Sequence, residues 1–221
     1  MRILPIKKDP INLKNTDIYY IPVPKVACTS MKTAIYKYNN PALYKIRRWI
    51  DPIYDFNPHM LYGSLNFSRY KMDSVAGKFF CIVRDPVARF VSAYDDIVLR
   101  RKKLAAVSHM VPEKALPNNP DIDQFLNRFE DYMEFGPYVR HHFLPMVTYI
   151  GVDPSFYFKV FDLHDFENIM KFLLNNGVNL DFLHANRGSG ERNKSKLTAS
   201  QCSRIKNIYI DDYEFIKNCG F

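Results

Sequence analysis

Cysteine is scarce and scattered in this chain. Its 221 residues hold four, Cys28, Cys81, Cys202 and Cys219, with no CxxC pair among them. That spacing argues against a disulfide framework or a zinc site, and for reduced, mostly buried thiols. Glycine is sparse too, eight in all, and the G-x-x-x-x-G-K-[ST] pattern of a Walker A loop is missing. No cluster of ligand-type side chains implies a metal. The amino terminus, Met1-Arg2-Ile3-Leu4-Pro5-Ile6-Lys7-Lys8-Asp9, lacks an apolar stretch long enough for a signal peptide or membrane anchor. A cytoplasmic chain without a membrane span is the simplest expectation, although a chain trimmed of its anchor would read alike. Internal repeats and low-complexity tracts are absent as well.

Hydrophobic residues make up 47% of the chain and aromatics 15%, which places it among globular proteins. A single domain over 1–221 is expected, long enough to bury roughly two-thirds or more of its unfolded surface. Lys and Arg number 31 against 23 Asp and Glu, a net charge of +8. That balance favours anionic partners such as nucleotides, acidic glycans, nucleic acid or anionic lipid, and does not choose among them.

Asp17 to Val23 reads as a buried strand, followed by a helix over Ser30 to Tyr38 with Thr29 or Ser30 able to cap it. Asn39 to Pro58 reads as irregular connection with one short helix, and Met60 to Phe67 as a helix. Lys78 to Val83 is a second buried strand. Asp85-Pro86, an N-cap acid and a proline at the first helical position, opens a long helix running to about Lys103. Residues 104–120, with three prolines and two adjacent asparagines, read as a mobile surface loop. Further on come a helix over Asp121 to Glu130, a third strand over Phe156 to Phe161, and a helix over Asp162 to Asn176. A loop over Asn186 to Lys196 and a helix over Thr198 to Lys217 complete the series. Alternating strands and helices argue for α/β architecture: a P-loop-like three-layer domain, its central parallel sheet flanked by helices.

Two segments carry the chemistry. In Pro24-Lys25-Val26-Ala27-Cys28-Thr29-Ser30-Met31-Lys32 a strand hands over to a helix. Unpaired N–H groups and the helix dipole there attract an anion. Lys25 adds a full charge, Thr29 and Ser30 add hydroxyl donors, and Ala27 and Cys28 are small enough to let a phosphate near the backbone. Taken alone, the loop reads more readily as an ordinary strand-to-helix turn with a surface lysine. In the second segment, Phe79 to Tyr94, a strand ends on Arg84, and Arg89 and Ser92 follow on one helical face. A guanidinium with a hydroxyl grips a phosphate monoester through directed hydrogen bonds; a structural ion pair with Asp85 is the plainer role for Arg84, and Arg89 reads as structural. Two such sites in one small domain point to a ligand with phosphate at both ends.

Together, "PKVACTSMK" and "FFCIVRDPVARFVSAY" resemble the paired cofactor motifs of sulfotransferases that use 3′-phosphoadenosine 5′-phosphosulfate (PAPS). They are most similar to the carbohydrate group that includes the chondroitin, dermatan, HNK-1 and heparan 2-O-sulfotransferases. The resemblance implies that the first loop (Lys25, Ala27, Cys28, Thr29, Ser30) binds the 5′-phosphosulfate, and that Arg84 and Ser92 bind the 3′-phosphate. His142-Phe143-Leu144-Pro145 resembles the family's His-aromatic-x-Pro element, and the closing "LTASQCSRIKNIYIDDYEFIKNCGF" is similar to its terminal helices. The stretch from Arg187 to Lys194, with Arg187 and Ser189, resembles the basic loop that folds over the nucleotide; a solvated basic loop is the plainer reading. Alanine stands at position 27, where a glycine is frequent in that family.

Sulfuryl transfer needs a base for the acceptor hydroxyl, donors for the sulfuryl oxygens and positive charge for the leaving phosphate. Lys25 is the natural leaving-group partner. His59 lies between the two motifs, as the catalytic histidine does in the heparan and dermatan enzymes, and imidazole titrates near neutral pH. His141 and His142 are the alternatives, and an inert histidine at a helix start remains open for His59. A carbohydrate or other hydroxyl acceptor is expected, with PAPS as donor and no metal. Neither rival class fits as well. A P-loop kinase would show a glycine-rich loop and a Mg²⁺-binding acid at a strand end. A nucleic-acid-binding protein would cluster its basic residues with exposed aromatics, whereas here they are spread along the chain. The acceptor's identity and the oligomeric state are not legible.

Overall fold

Lys78-Phe79-Phe80-Cys81-Ile82-Val83 is apolar without alternation, and from Phe79 onward it is buried on both faces, as a central strand must be. The structure, a computed structural model, describes residues 10–50, 57–70, 76–182 and 195–220. In chain order its elements are β1 (Ile11–Asn12), β2 (Ile18–Ile21), α1 (Cys28–Asn39), α2 (Pro41–Ile50), β3 (Lys78–Val83), α3 (Pro86–Ala93) and α4 (Leu104–Met110). Then come α5 (Ile122–Asn127), α6 (Phe129–Phe135), α7 (Pro137–Phe143), α8 (Val147–Ile150), β4 (Lys159–Asp162), α9 (Phe166–Asn175), α10 (Ala199–Ile208) and α11 (Ile210–Asn218).

The architecture is α/β, with one four-stranded sheet in the order β1-β2-β3-β4. β2 runs parallel to β3, from Ile18 opposite Lys78 to Ile21 opposite Cys81. β3 runs parallel to β4, from Phe80 opposite Lys159 to Val83 opposite Asp162. The sheet is therefore mostly parallel; β1 adds an antiparallel edge, with Ile11 opposite Tyr20. At two residues β1 is too short to show an alternating pattern, and only its partner defines it.

The chain divides into two compact units. The first is drawn from Met1–Arg84, Met146–Ser189 and Phe215–Phe221, and it holds the whole sheet. Met31, Ala34 and Ile35 of α1 and Ile169 and Leu173 of α9 are buried with the strands. Phe172 of α9 meets Phe80 and Phe161 edge-on or tilted, at 5.5 and 5.3 Å between ring centroids. Gly77 enters β3 so closely that an added Cβ would lie 2.6 Å from the Asp17 carbonyl oxygen, so a side chain there would push β2 and β3 apart. The residues after Met60, expected to be helical, are not: one 3₁₀ turn spans Pro58–Met60 and another Phe67–Arg69. The expected third strand begins only at Lys159, because Pro154–Phe156 forms a 3₁₀ turn ahead of it.

The second unit comprises Asp85–Pro145 and Gly190–Glu214. The Asp85 carboxylate accepts from Ala88 N at 2.7 Å and Pro86 occupies the first turn of α3, the cap chemistry that the sequence carries. The helix runs on as a π-helical stretch, Tyr94–Arg100. An aromatic core closes over it: Phe125 packs on Phe143 at 4.9 Å and on Tyr132 at 5.3 Å, and Phe90 on Phe143 at 5.4 Å. Residues 104–120, expected as a loop, contain α4 and a 3₁₀ turn at Pro112–Lys114. Leu104, Val107 and Val111 are buried at helical spacing, which outweighs the prolines downstream of them. The helices expected over Asp121 to Glu130 and Thr198 to Lys217 are each broken, at Arg128 and Tyr209. Both begin with capping boxes, Asp121 with Gln124 and Thr198 with Gln201. Among the described residues no helix is long and apolar enough to cross a membrane.

Candidate active site

β2 ends at Ile21, and Pro22, Val23 and Pro24 are buried behind it. The chain then turns into α1 through two left-handed residues, Lys25 (φ 67°) and Ala27 (φ 47°), with the Val26 side chain fully buried between them. Left-handed backbone costs a non-glycine residue about 1–2 kcal/mol, and it persists where the surroundings enforce it. α1, twelve residues long, has no side-chain cap on its amino terminus and no acid in its first turn. Its N–H groups and dipole are therefore directed at the space beside the Lys25–Ser30 loop, where an anion is favoured. Thr29 and Ser30 are half-buried in that first turn, and Cys28 is buried.

Arg84 follows the last residue of β3. Because β2 and β3 are parallel neighbours, their carboxyl ends lie at the same edge of the sheet. The Arg84 guanidinium Nη1 donates to the Lys25 carbonyl at 3.3 Å. The ends of the two motifs thus meet within the first unit. Ser92 belongs to the second unit, half-buried on α3. Arg89, also on α3, is 1% exposed and donates to the His142 carbonyl at 3.5 Å, which makes it part of that unit's core.

His59 stands on the Pro58–Met60 turn. Its backbone N–H donates to Asn57 Oδ1 at 3.0 Å, and Pro58 is buried beneath it. The ring is exposed, yet both nitrogens have partners on α1: Nε2 lies 2.9 Å from Thr29 Oγ1 and Nδ1 3.3 Å from Lys32 Nζ. Lys32 is fully buried and donates to Ser64 Oγ at 2.9 Å. Burial lowers its pKa from the ordinary 10.5 to about 8, against a smaller opposing effect from Cys28. Lys32 and Ser64 were not among the expected site residues. A signal for Lys32 does exist in the sequence: it falls on the same helical stripe as Cys28 and Ile35, where an apolar residue belongs.

The structure therefore brings Lys25, Thr29, His59 and Arg84 together on the carboxyl edge of β2 and β3. His141 and His142 lie in the last turn of α7, in the second unit. The His142 ring Nδ1 is 2.9 Å from the Tyr138 carbonyl one turn earlier, and the ring packs on Tyr138 at 4.7 Å. Arg187 and Ser189 lie outside the described residues. Among the described residues no group of His, Cys, Asp or Glu is placed to hold a metal ion. A separate groove of about 520 Å³, lined in part by Phe67, Thr148, Gly151 and Phe156, includes none of the candidate residues.

An imidazole beside an anion-binding helix terminus can take a proton from a hydroxyl group brought to that terminus. A positively charged loop at the same place offsets charge that leaves on a phosphate. The chain matches the family model described as "Sulfotransferase family" over residues 11–217. No curated protein and no solved structure matches it.

Proposed function

We propose, for a chain that belongs to the sulfotransferase family, that it moves a sulfuryl group from PAPS to a hydroxyl of a carbohydrate acceptor, with His59 as the general base. The observation that carries this reading is the 2.9 Å approach of His59 Nε2 to Thr29 in the first turn of α1. That approach puts a proton acceptor beside the terminus suited to the donor's phosphosulfate. The P-loop-like, three-layer character belongs to the same proposal, supported by the β2–loop–α1 geometry.

The residues present fit such a nucleotide. The uncapped α1 terminus, Lys25 and the Thr29 and Ser30 hydroxyls supply donors for a phosphosulfate, and Arg84 supplies a guanidinium for a second phosphate. Ser92, Arg187 and Ser189 remain part of the proposal on the family resemblance alone. When bound, PAPS supplies an electrophilic sulfur whose leaving group is a phosphate. His59 Nε2 takes the acceptor proton as the acceptor oxygen bonds to sulfur and the bond to phosphate breaks. Lys25 offsets the charge left on that phosphate. The net charge of +8 is compatible with an acidic carbohydrate as acceptor and equally with other anionic partners.

The test is transfer from mass-tagged PAPS to a panel of glycans, peptides and phenols, alongside binding of 3′-phosphoadenosine 5′-phosphate. Sulfation of a glycan hydroxyl is the expected result. Tight nucleotide binding with no transfer to any acceptor would instead make the chain a binding module. If Arg84 holds the 3′-phosphate, adenosine 5′-phosphosulfate binds far more weakly than PAPS, and Arg84→Ala narrows that difference.

A further inference from the structure

Lys32 is a cation-forming side chain with no exposed surface, and its contacts are specific. Ser64 Oγ accepts from it at 2.9 Å, and His59 Nδ1 lies at 3.3 Å on its other side. No carboxylate among the described residues approaches it within ion-pair distance. The titratable groups facing it are His59 from the Pro58–Met60 turn and Cys28, one turn earlier on α1. Tyr20 of β2 interacts with Cys28 in turn. A buried ammonium without a counter-charge is costly, and this lysine sits directly behind the ring proposed as the base.

We propose that Lys32 is the positioning residue of His59: through Nδ1 it fixes the ring and decides which ring nitrogen carries the proton. This rests on the reading of His59 as the general base. An ammonium can only donate. With Lys32 charged, Nδ1 must accept, the neutral ring carries its proton on Nε2, and Nε2 has no lone pair to offer. With Lys32 as the neutral amine, Nδ1–H donates to Nζ, and the Nε2 lone pair faces Thr29 and the acceptor side. Burial brings that second state within reach, since it moves the lysine's titration down to about 8; the ammonium form predominates below that pH and the amine above it.

The proton movements then balance. The acceptor O–H proton goes to Nε2 as the new O–S bond forms and the bond from sulfur to the donor's phosphate oxygen breaks, the phosphate leaving with that electron pair; the Nδ1 proton passes to the Lys32 amine, and Lys32 ends as an ammonium held by Ser64. The ring is left neutral, and Lys32 returns its proton to solvent between turnovers. Thr29 serves both tautomers, because a hydroxyl can accept from Nε2–H or donate to bare Nε2.

The experiment is ¹⁵N NMR of the histidine-labelled protein between pH 7 and 9.5. In the wild type the His59 Nδ1 resonance moves from the pyridine-like to the pyrrole-like range, reporting the switch from Nε2–H to Nδ1–H. In Lys32→Met, an apolar replacement of similar length, that movement is lost. kcat rises about tenfold over the same interval in the wild type, as expected for a group titrating one unit above the starting pH, and does not rise in Lys32→Met. A wild-type tautomer that stays constant from pH 7 to 9.5, or a switch that persists in Lys32→Met, overturns the proposal. The wild-type titration decides this even if the variant does not fold. Full turnover in His59→Ala would instead overturn the base assignment, and the tautomer result would still stand.

Discussion

The Arg84 guanidinium donates to the Lys25 carbonyl at 3.3 Å, joining residues 59 apart in sequence. This bond ties the loop after β2 to the end of β3 and places two cations at one edge of the sheet. Lys25→Ala and Arg84→Ala are each expected to weaken binding of 3′-phosphoadenosine 5′-phosphate by about 1.5–3 kcal/mol, the range for hydrogen bonds to charged groups. Calorimetry checks this, and unchanged affinity in either variant would remove that residue from the site.

His59 touches the loop through Thr29 and is itself exposed to solvent. His59→Ala is expected to lower kcat by about 10²–10⁴-fold, as for a positioned acid–base group. Affinity for the bisphosphate should stay near that of the wild type. Parallel kinetics and calorimetry separate the two effects; a loss confined to nucleotide affinity would make His59 a binding residue.

Lys32 also predicts a pH dependence of stability. Its pKa is about 8 folded and near 10.5 unfolded, so between these values the unfolded chain binds more protons. Stability therefore rises with pH across that window, while the full cost of the buried ammonium is present below pH 8. The relief amounts to at most about 3.5 kcal/mol, the free energy of moving the titration from 10.5 to about 8. Denaturant unfolding of wild type and Lys32→Met from pH 7.5 to 9.5 reads the difference before the tyrosines titrate. Parallel pH curves would show that the lysine is not desolvated as its burial implies.

Ala27 is held at φ 47°, a region in which glycine is at ease. Ala27→Gly is expected to stabilise the fold by about 0.5–1 kcal/mol, read as a shift in the denaturation midpoint at constant slope. Destabilisation would mean that the alanine methyl makes a packing contact worth more than the backbone strain.

Where the governing physics was local, the sequence was legible. β3 begins and ends where its apolar run does, and α3 starts at the acid and proline that cap it. β1 exists only because β2 offers it an edge, and α4 was hidden by prolines that lie beyond its own buried stripe. In the site, Lys25, Thr29, His59 and Arg84 were readable as chemistry, but Lys25 and Arg84 meet through parallel pairing and His59 meets Thr29 through the turn that rests on α1. Lys32 and Ser64 were missed because neither looks reactive until burial removes water from around them.

The parallel ladder has a kinetic consequence. Ile18 pairs with Lys78 and Phe80 with Lys159, partners sixty or more residues apart in sequence. The loops between them must close before those hydrogen bonds can offset the lost chain entropy, so the sheet forms late and slowly. The Arg84–Lys25 bond cannot precede it. If Lys25 and Arg84 hold the nucleotide as proposed, capacity to bind it is acquired at the end of folding, and refolding followed by a fluorescent bisphosphate should lag behind the appearance of helix. A nucleotide present during refolding adds RT ln(1 + [L]/Kd) of stability to the finished state alone. It therefore rescues variants that unfold easily without altering the early steps.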